Sequence, residues 1–160
     1  GINTYPIANF FFLFQALLLL ILYKNALHIR LNYILIAVVY SFIFLVNYFF
    51  LEGPYQLNAY TFSLSGVIFI LLSLLYFRHL LITLPSDSVH RLPMVWINIA
   101  VLMYYSGNLF LFILNNYFSM GEHGNQRAMW ILHNALNISK NLLFLIALWQ
   151  SLRKTNSSTS

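Results

Sequence analysis

The chain has 160 residues, of which 61% are hydrophobic, 18% aromatic and only 7% charged, with a mean hydropathy of +0.76. A soluble domain carries about 25% charged residues, so a soluble enzyme is excluded. Abundant apolar residues, 6 Gly, 4 Pro and no Cys likewise exclude disorder, a collagen-like fibre and a disulfide scaffold. The net charge of +5 is spread thinly between apolar runs, as in the loops of membrane proteins, and forms no basic face for nucleic acid.

A helix needs about 20 mostly apolar residues to cross about 30 Å of hydrocarbon. Five segments qualify, at 7–23, 33–50, 59–77, 94–118 and 128–152. They predict an all-α integral membrane protein: a bundle of five transmembrane helices over 1–154, then a disordered cytoplasmic tail at 155–160. The expected loops are Lys24 to Asn32, the turn Glu52-Gly53-Pro54, Pro85-Ser86-Asp87-Ser88, and Gly121-Glu122-His123-Gly124-Asn125. Pro93 stands just before the fourth span, where a helix tolerates it. The runs are continuous rather than alternating, which argues against a β-barrel. No basic stretch and small-residue cleavage site precede the first run, so it reads as a span and not as a signal peptide.

Lys24, Arg30, Arg78, Arg91, Arg153 and Lys154 fall on one side of this arrangement and only Arg127 on the other. That distribution predicts an outside N-terminus and a cytoplasmic C-terminus, in the inner (plasma) membrane of a bacterium. An even number of additional upstream spans, such as a seven-span parent, would keep the same orientation.

The polar residues inside the spans recur at helical spacing. Gln15 is central on span one; Tyr33, Tyr40 and Asn47 repeat every seven residues on span two; Gly66 and Ser73 share a face on span three. Asn98, Tyr105 and Asn116 do so on span four, with Asn108 beside them. On span five Gln126, Trp130, His133, Asn137, Lys140 and Asn141 form one stripe about 100° wide, with Asn134 at its edge. The opposite face, including Leu132, Ala135, Leu136, Leu143 and Ile146, is suited to lipid or packing. Lys140 is near mid-span, and the acids Glu52, Asp87 and Glu122 all fall in loops. Its ammonium must therefore be neutralised, hydrated, bonded to Asn, Tyr or backbone oxygens, or matched by an anionic ligand or a partner's carboxylate. Lys140, His133, Asn137, Asn141, Tyr105 and Asn98 are the expected ligand-binding or coupling residues. His79, His90 and His123 are read as loop residues, no metal-ligand spacing occurs, and no catalytic residue, metal or cofactor is expected.

Two resemblances bear on this reading. A lysine in the middle of the last helix is similar to the lysine of microbial rhodopsins that binds retinal as a Schiff base. That family's carboxylate counter-ion would fall on span one, which offers only Gln15. Ser63-Leu64-Ser65-Gly66, with His133 two helices later, resembles the nucleophile motif and partner histidine of rhomboid proteases, but the leading glycine is absent. The function expected is a sensory or ligand-binding membrane module using the span-five stripe. The alternatives are a small transporter or channel subunit with an anion or proton path at Lys140 and His133, and thirdly an intramembrane serine protease. The expected partners are the lipid bilayer and either a second copy, joined through Ser65-Gly66 or Ser106-Gly107, or a membrane or cytoplasmic signalling protein.

Overall fold

The computed structural model describes the backbone of residues 4–27, 31–56, 58–83, 89–118 and 124–157, and the side chains of these up to 111 and from 130 to 153. Its elements are α1 (Tyr5–Leu27), α2 (Tyr33–Val46) continued by a π turn (Asn47–Leu51), α3 (Ala59–Thr83), a 3-10 turn (Val89–Arg91), α4 (Pro93–Phe118) and α5 (Gly124–Ser157). No strand occurs among the described residues, and five helices are long and apolar enough to cross a membrane.

The helices outrun the apolar segments that signal them. α1 takes in Lys24 and Asn25, α3 carries Arg78 and His79 on its last turns, and α5 contains Gly124 and Asn125 in its first turn. These residues belong to helices and not to loops, because nothing at those points breaks the backbone ladder and a helix continues beyond the hydrocarbon. Arg30, Pro85 to Ser88, Gly121 to His123 and residues 158–160 lie outside the described residues, as do the side chains of Asn116, Gln126, Arg127 and Lys154.

Local chemistry fixes the helix ends that matter here. Asn32 caps α2, its side-chain oxygen accepting from the Leu35 N–H at 3.1 Å. Pro93 opens α4 at the position where its missing N–H leaves no helical bond unmade. Trp96 Nε1 donates to the His90 carbonyl at 2.8 Å and holds the 3-10 turn against the start of α4. At the end of α2 the Glu52 N–H reaches the Asn47 carbonyl, one residue further than an α-helix allows. The Asn47 side chain reinforces this π register by donating to Glu52 Oε2 at 2.6 Å. Gly53 then takes φ +79°, a conformation open chiefly to glycine, and turns the chain towards α3.

Two compact units divide the chain, residues 1–68 and 69–160, with the boundary inside α3. In the first, Phe10 packs edge-on against Phe44, Phe44 stacks on Tyr48, and Phe12 meets Phe62 edge-on at 5.1 Å. Asn9, buried on α1, straps down the connector to α3. Its Nδ2 donates to the Gln56 carbonyl at 2.9 Å and its Oδ1 accepts from the Asn58 N–H at 3.1 Å. Asn47 also donates to Thr61 Oγ1 at 3.0 Å, so two amides fasten the connector at both ends.

In the second unit α4 and α5 make the most extensive pairing of any two elements. α4 also meets the middle of α3, where Asn98 Nδ2 donates to the Ser73 carbonyl at 3.2 Å and Phe69 lies against Tyr105, ring centres 5.0 Å apart. The approach of α4 and α5 depends on Gly107, where an added Cβ would come within 2.7 Å of Leu136 Cδ1. Leu136 therefore faces α4, and Leu143 is half-buried, so these two leucines take the packing role that the sequence allows them. The face of α5 that packs takes in His133 and Lys140 together with Leu136, Leu143 and Ala147 on one side of the polar stripe, while Trp130 and Asn141 at its other edge are exposed.

Ser65 and Gly66 are buried and Gly107 meets Leu136, so of the two small-residue pairs only Ser106 is exposed. Substituting Gly107 should separate two effects. Gly107→Ala gains about 1 kcal/mol of helix propensity, which offsets the displacement of a flexible Leu136 end, so its stability should remain within about 1 kcal/mol of the parent. Gly107→Leu has no such room and should lose about 1–3 kcal/mol, read as a lower midpoint in a thermal melt of purified protein.

Candidate functional site

The candidate site is the seam between α4 and α5, with Lys140 at its centre. The residue is 5% exposed and stands ten positions after the start of the candidate span Trp130–Arg153, about 15 Å along the axis and close to its middle. None of the five helices contains an acidic residue. The ammonium sits instead over the ring of Tyr104, 4.2 Å from its centroid. A cation over an aromatic face gains about 2 kcal/mol when both are desolvated, less than the several kcal/mol that burying an ammonium costs.

Two turns along α5, His133 meets the same helix. Asn108 Nδ2 donates to the Tyr104 carbonyl of its own helix at 2.7 Å, which turns Asn108 Oδ1 towards His133 Nδ1, 2.5 Å away. An amide oxygen can only accept, so His133 Nδ1 carries the proton and donates it. In the neutral ring Nε2 is then the acceptor. The ring is bordered by Tyr104, 6.2 Å between centres, and by Trp130, edge-on at 5.9 Å. Tyr104 thus joins the two charge-bearing residues of α5: its ring faces both, and its carbonyl orients the amide that holds the histidine.

The structure sorts the expected site residues into three groups. Lys140, His133 and half-buried Asn137 share the packed face of α5. Asn98 and Tyr105 are buried and engage α3, Asn98 lying about 9 Å from Tyr104 along α4. Asn141 and Asn134 are exposed and stand apart from the seam. Tyr104 escaped the sequence reading, and Asn108 was noted only as a neighbour. Their sole signal is the four-residue spacing that puts both on one face of α4. Ser65 Oγ donates to the Phe62 carbonyl at 2.7 Å and is hydrogen-bonded to Tyr40, so its hydroxyl is engaged within its own unit. Among the described residues no three His, Asp or Glu side chains gather as metal ligands would. No protein-family model matches this chain, and no curated protein or solved structure is significantly similar to it.

Proposed function

We propose that the chain is a ligand-binding membrane module of the sensory kind, with the α4–α5 seam as its site and Lys140 as the charge that recognises an anionic group. The observation that carries this reading is a mid-span lysine, nearly fully buried, whose ammonium lies on an aromatic face in helices that contain no acid. His133, with Nδ1 engaged by Asn108, adds a directional acceptor two turns away. A carboxylate or phosphate ester carrying a hydroxyl or N–H suits this pair.

A thermal-shift panel of small carboxylates and phosphates tests it, run on the purified parent and on Lys140→Met, beside ion-flux measurements in liposomes. A compound that raises the melting point of the parent by several degrees and leaves Lys140→Met unmoved supports the proposal. Flux that depends on Lys140, with no such compound, replaces it with a transporter or channel subunit. Neither effect leaves Lys140 a tolerated residue and overturns the site.

The orientation belongs to the same proposal: N-terminus outside and C-terminus in the cytoplasm. It is supported by the distribution of Lys and Arg between the span ends and by Arg153, whose guanidinium lies 5.1 Å from the Trp149 ring centre, a cation and aromatic pair suited to a membrane interface. A reporter fused after Lys154 should be active only as a cytoplasmic enzyme, and one inserted at Gly121 only outside. The reverse pattern would invert the depth order of His133 and Lys140.

A further inference from the structure

The second feature that calls for a ligand lies in the first unit, at the start of α3. Asn58 is 4% exposed, and both polar atoms of its side chain, Oδ1 and Nδ2, are buried with no hydrogen-bond partner. Its backbone is fully engaged, the N–H donating to Asn9 Oδ1 and the carbonyl accepting from the Phe62 N–H at 2.9 Å. The amide neither caps the helix nor reaches solvent. An orphaned buried donor and acceptor are expensive, and native structures satisfy such groups with protein or with ordered water.

Beside this amide is a cavity that also takes in the polar side chains of Asn9, Tyr40 and Thr61. The space open to the centre of a water molecule is about 10 Å³. That is about the room one water requires, and too little for a larger molecule. Water also has the right chemistry. Beside a primary amide a single water accepts from the N–H and donates to the oxygen at once, closing a small ring, so one molecule answers both orphaned atoms. Thr61 Oγ1 accepts from Asn47, which leaves the hydroxyl proton of Thr61 to give. A buried water needs two to four polar partners, and these supply three.

We infer that this cavity is an internal hydration site, holding one ordered water against the Asn58 side-chain amide. The water completes the polar seam in which Asn9 and Asn47 fasten the connector, and it joins the first turn of α3 to that seam. Its occupant is uncharged and of fixed size, unlike the anion proposed for the α4–α5 seam, and the two sites stand or fall separately.

Radiolytic hydroxyl labelling of the full chain in nanodiscs tests the inference, because a bound water broken in place oxidises the side chains around it even where bulk water does not reach. Phe44 and Phe62 line the cavity at 2% and 6% exposure. Both should be oxidised in the parent and at least fivefold less in Asn58→Leu, while buried Phe69 should be unlabelled in both. Unlabelled Phe44 and Phe62 in the parent, or equal labelling in the two proteins, would overturn the site. If Asn58→Leu does not fold, a density map of the parent better than about 2.5 Å decides. One spherical peak at hydrogen-bond distance from both Asn58 Oδ1 and Nδ2 is expected. An empty cavity, or a peak too large for water, refutes it.

Discussion

Lys140→Met is expected to melt about 2–6 °C above the parent and to lose every ligand response that depends on the α4–α5 seam. Methionine keeps the length of the lysine stem, so the contact with Tyr104 is preserved as packing. The change forfeits a cation–π attraction of about 2 kcal/mol. It also removes the burden of an ammonium in a low-dielectric site, a desolvation penalty of several kcal/mol. The second effect is the larger. Lys140→Arg should do the opposite, since a guanidinium is broader than the ammonium it would replace over the Tyr104 ring, and should melt below the parent. Differential scanning fluorimetry of the three proteins reads both signs. A Lys140→Met protein that is destabilised would mean that the lysine anchors the fold.

The second large effect is expected at Asn9. Asn9→Leu leaves the Asn58 N–H and the Gln56 carbonyl without partners, each worth about 1–3 kcal/mol, and the first of these is buried. Melting should fall by an amount corresponding to about 2–5 kcal/mol, and amide hydrogen exchange should quicken at Asn58 and the connector before it. Asn9→Asp retains an acceptor for the Asn58 N–H and removes the donor to Gln56, so its exchange defect should concentrate around Gln56 and spare the Asn58 N–H. Unchanged exchange in Asn9→Leu would show that the strap is incidental to the order of this segment.

The five helices were legible because each is announced by an apolar run too long for anything but a span or a deeply buried helix. Their ends were not. Lys24, Arg78 and His79 are polar and so resemble loop residues, but the helical ladder has no reason to stop at the edge of the hydrocarbon. Lys140 and His133 could be placed on one face from α5 alone, since a single helix fixes the angles between its own side chains. Asn141 lay on the same stripe, offset by about 80° from His133, and is exposed because α4 covers a narrower arc centred near Lys140. Which residues of α4 meet that arc depends on the register between two helices, information that no wheel drawn on one of them contains. That is why Tyr104 went unseen while its neighbour Tyr105, on the α3 side, was chosen. Asn9 and Asn58 were invisible for another reason: each acts alone at a helix end, where no periodicity marks it.

The pairing of α4 with α5 also bears on how the chain reaches its membrane. These two are the least apolar of the five candidate spans. Released singly, α5 would bring an ammonium, a histidine and several amides into lipid, and insertion scales assign a lysine at mid-helix about 2.5–3.5 kcal/mol against entry. Its answering groups, the Tyr104 ring and Asn108, are on the helix synthesised just before it. Entry is then favoured as a helical hairpin, with α4 held beside the insertion channel until α5 emerges and the two leave together. Moving α4 to the end of the chain would strand α5 at that exit.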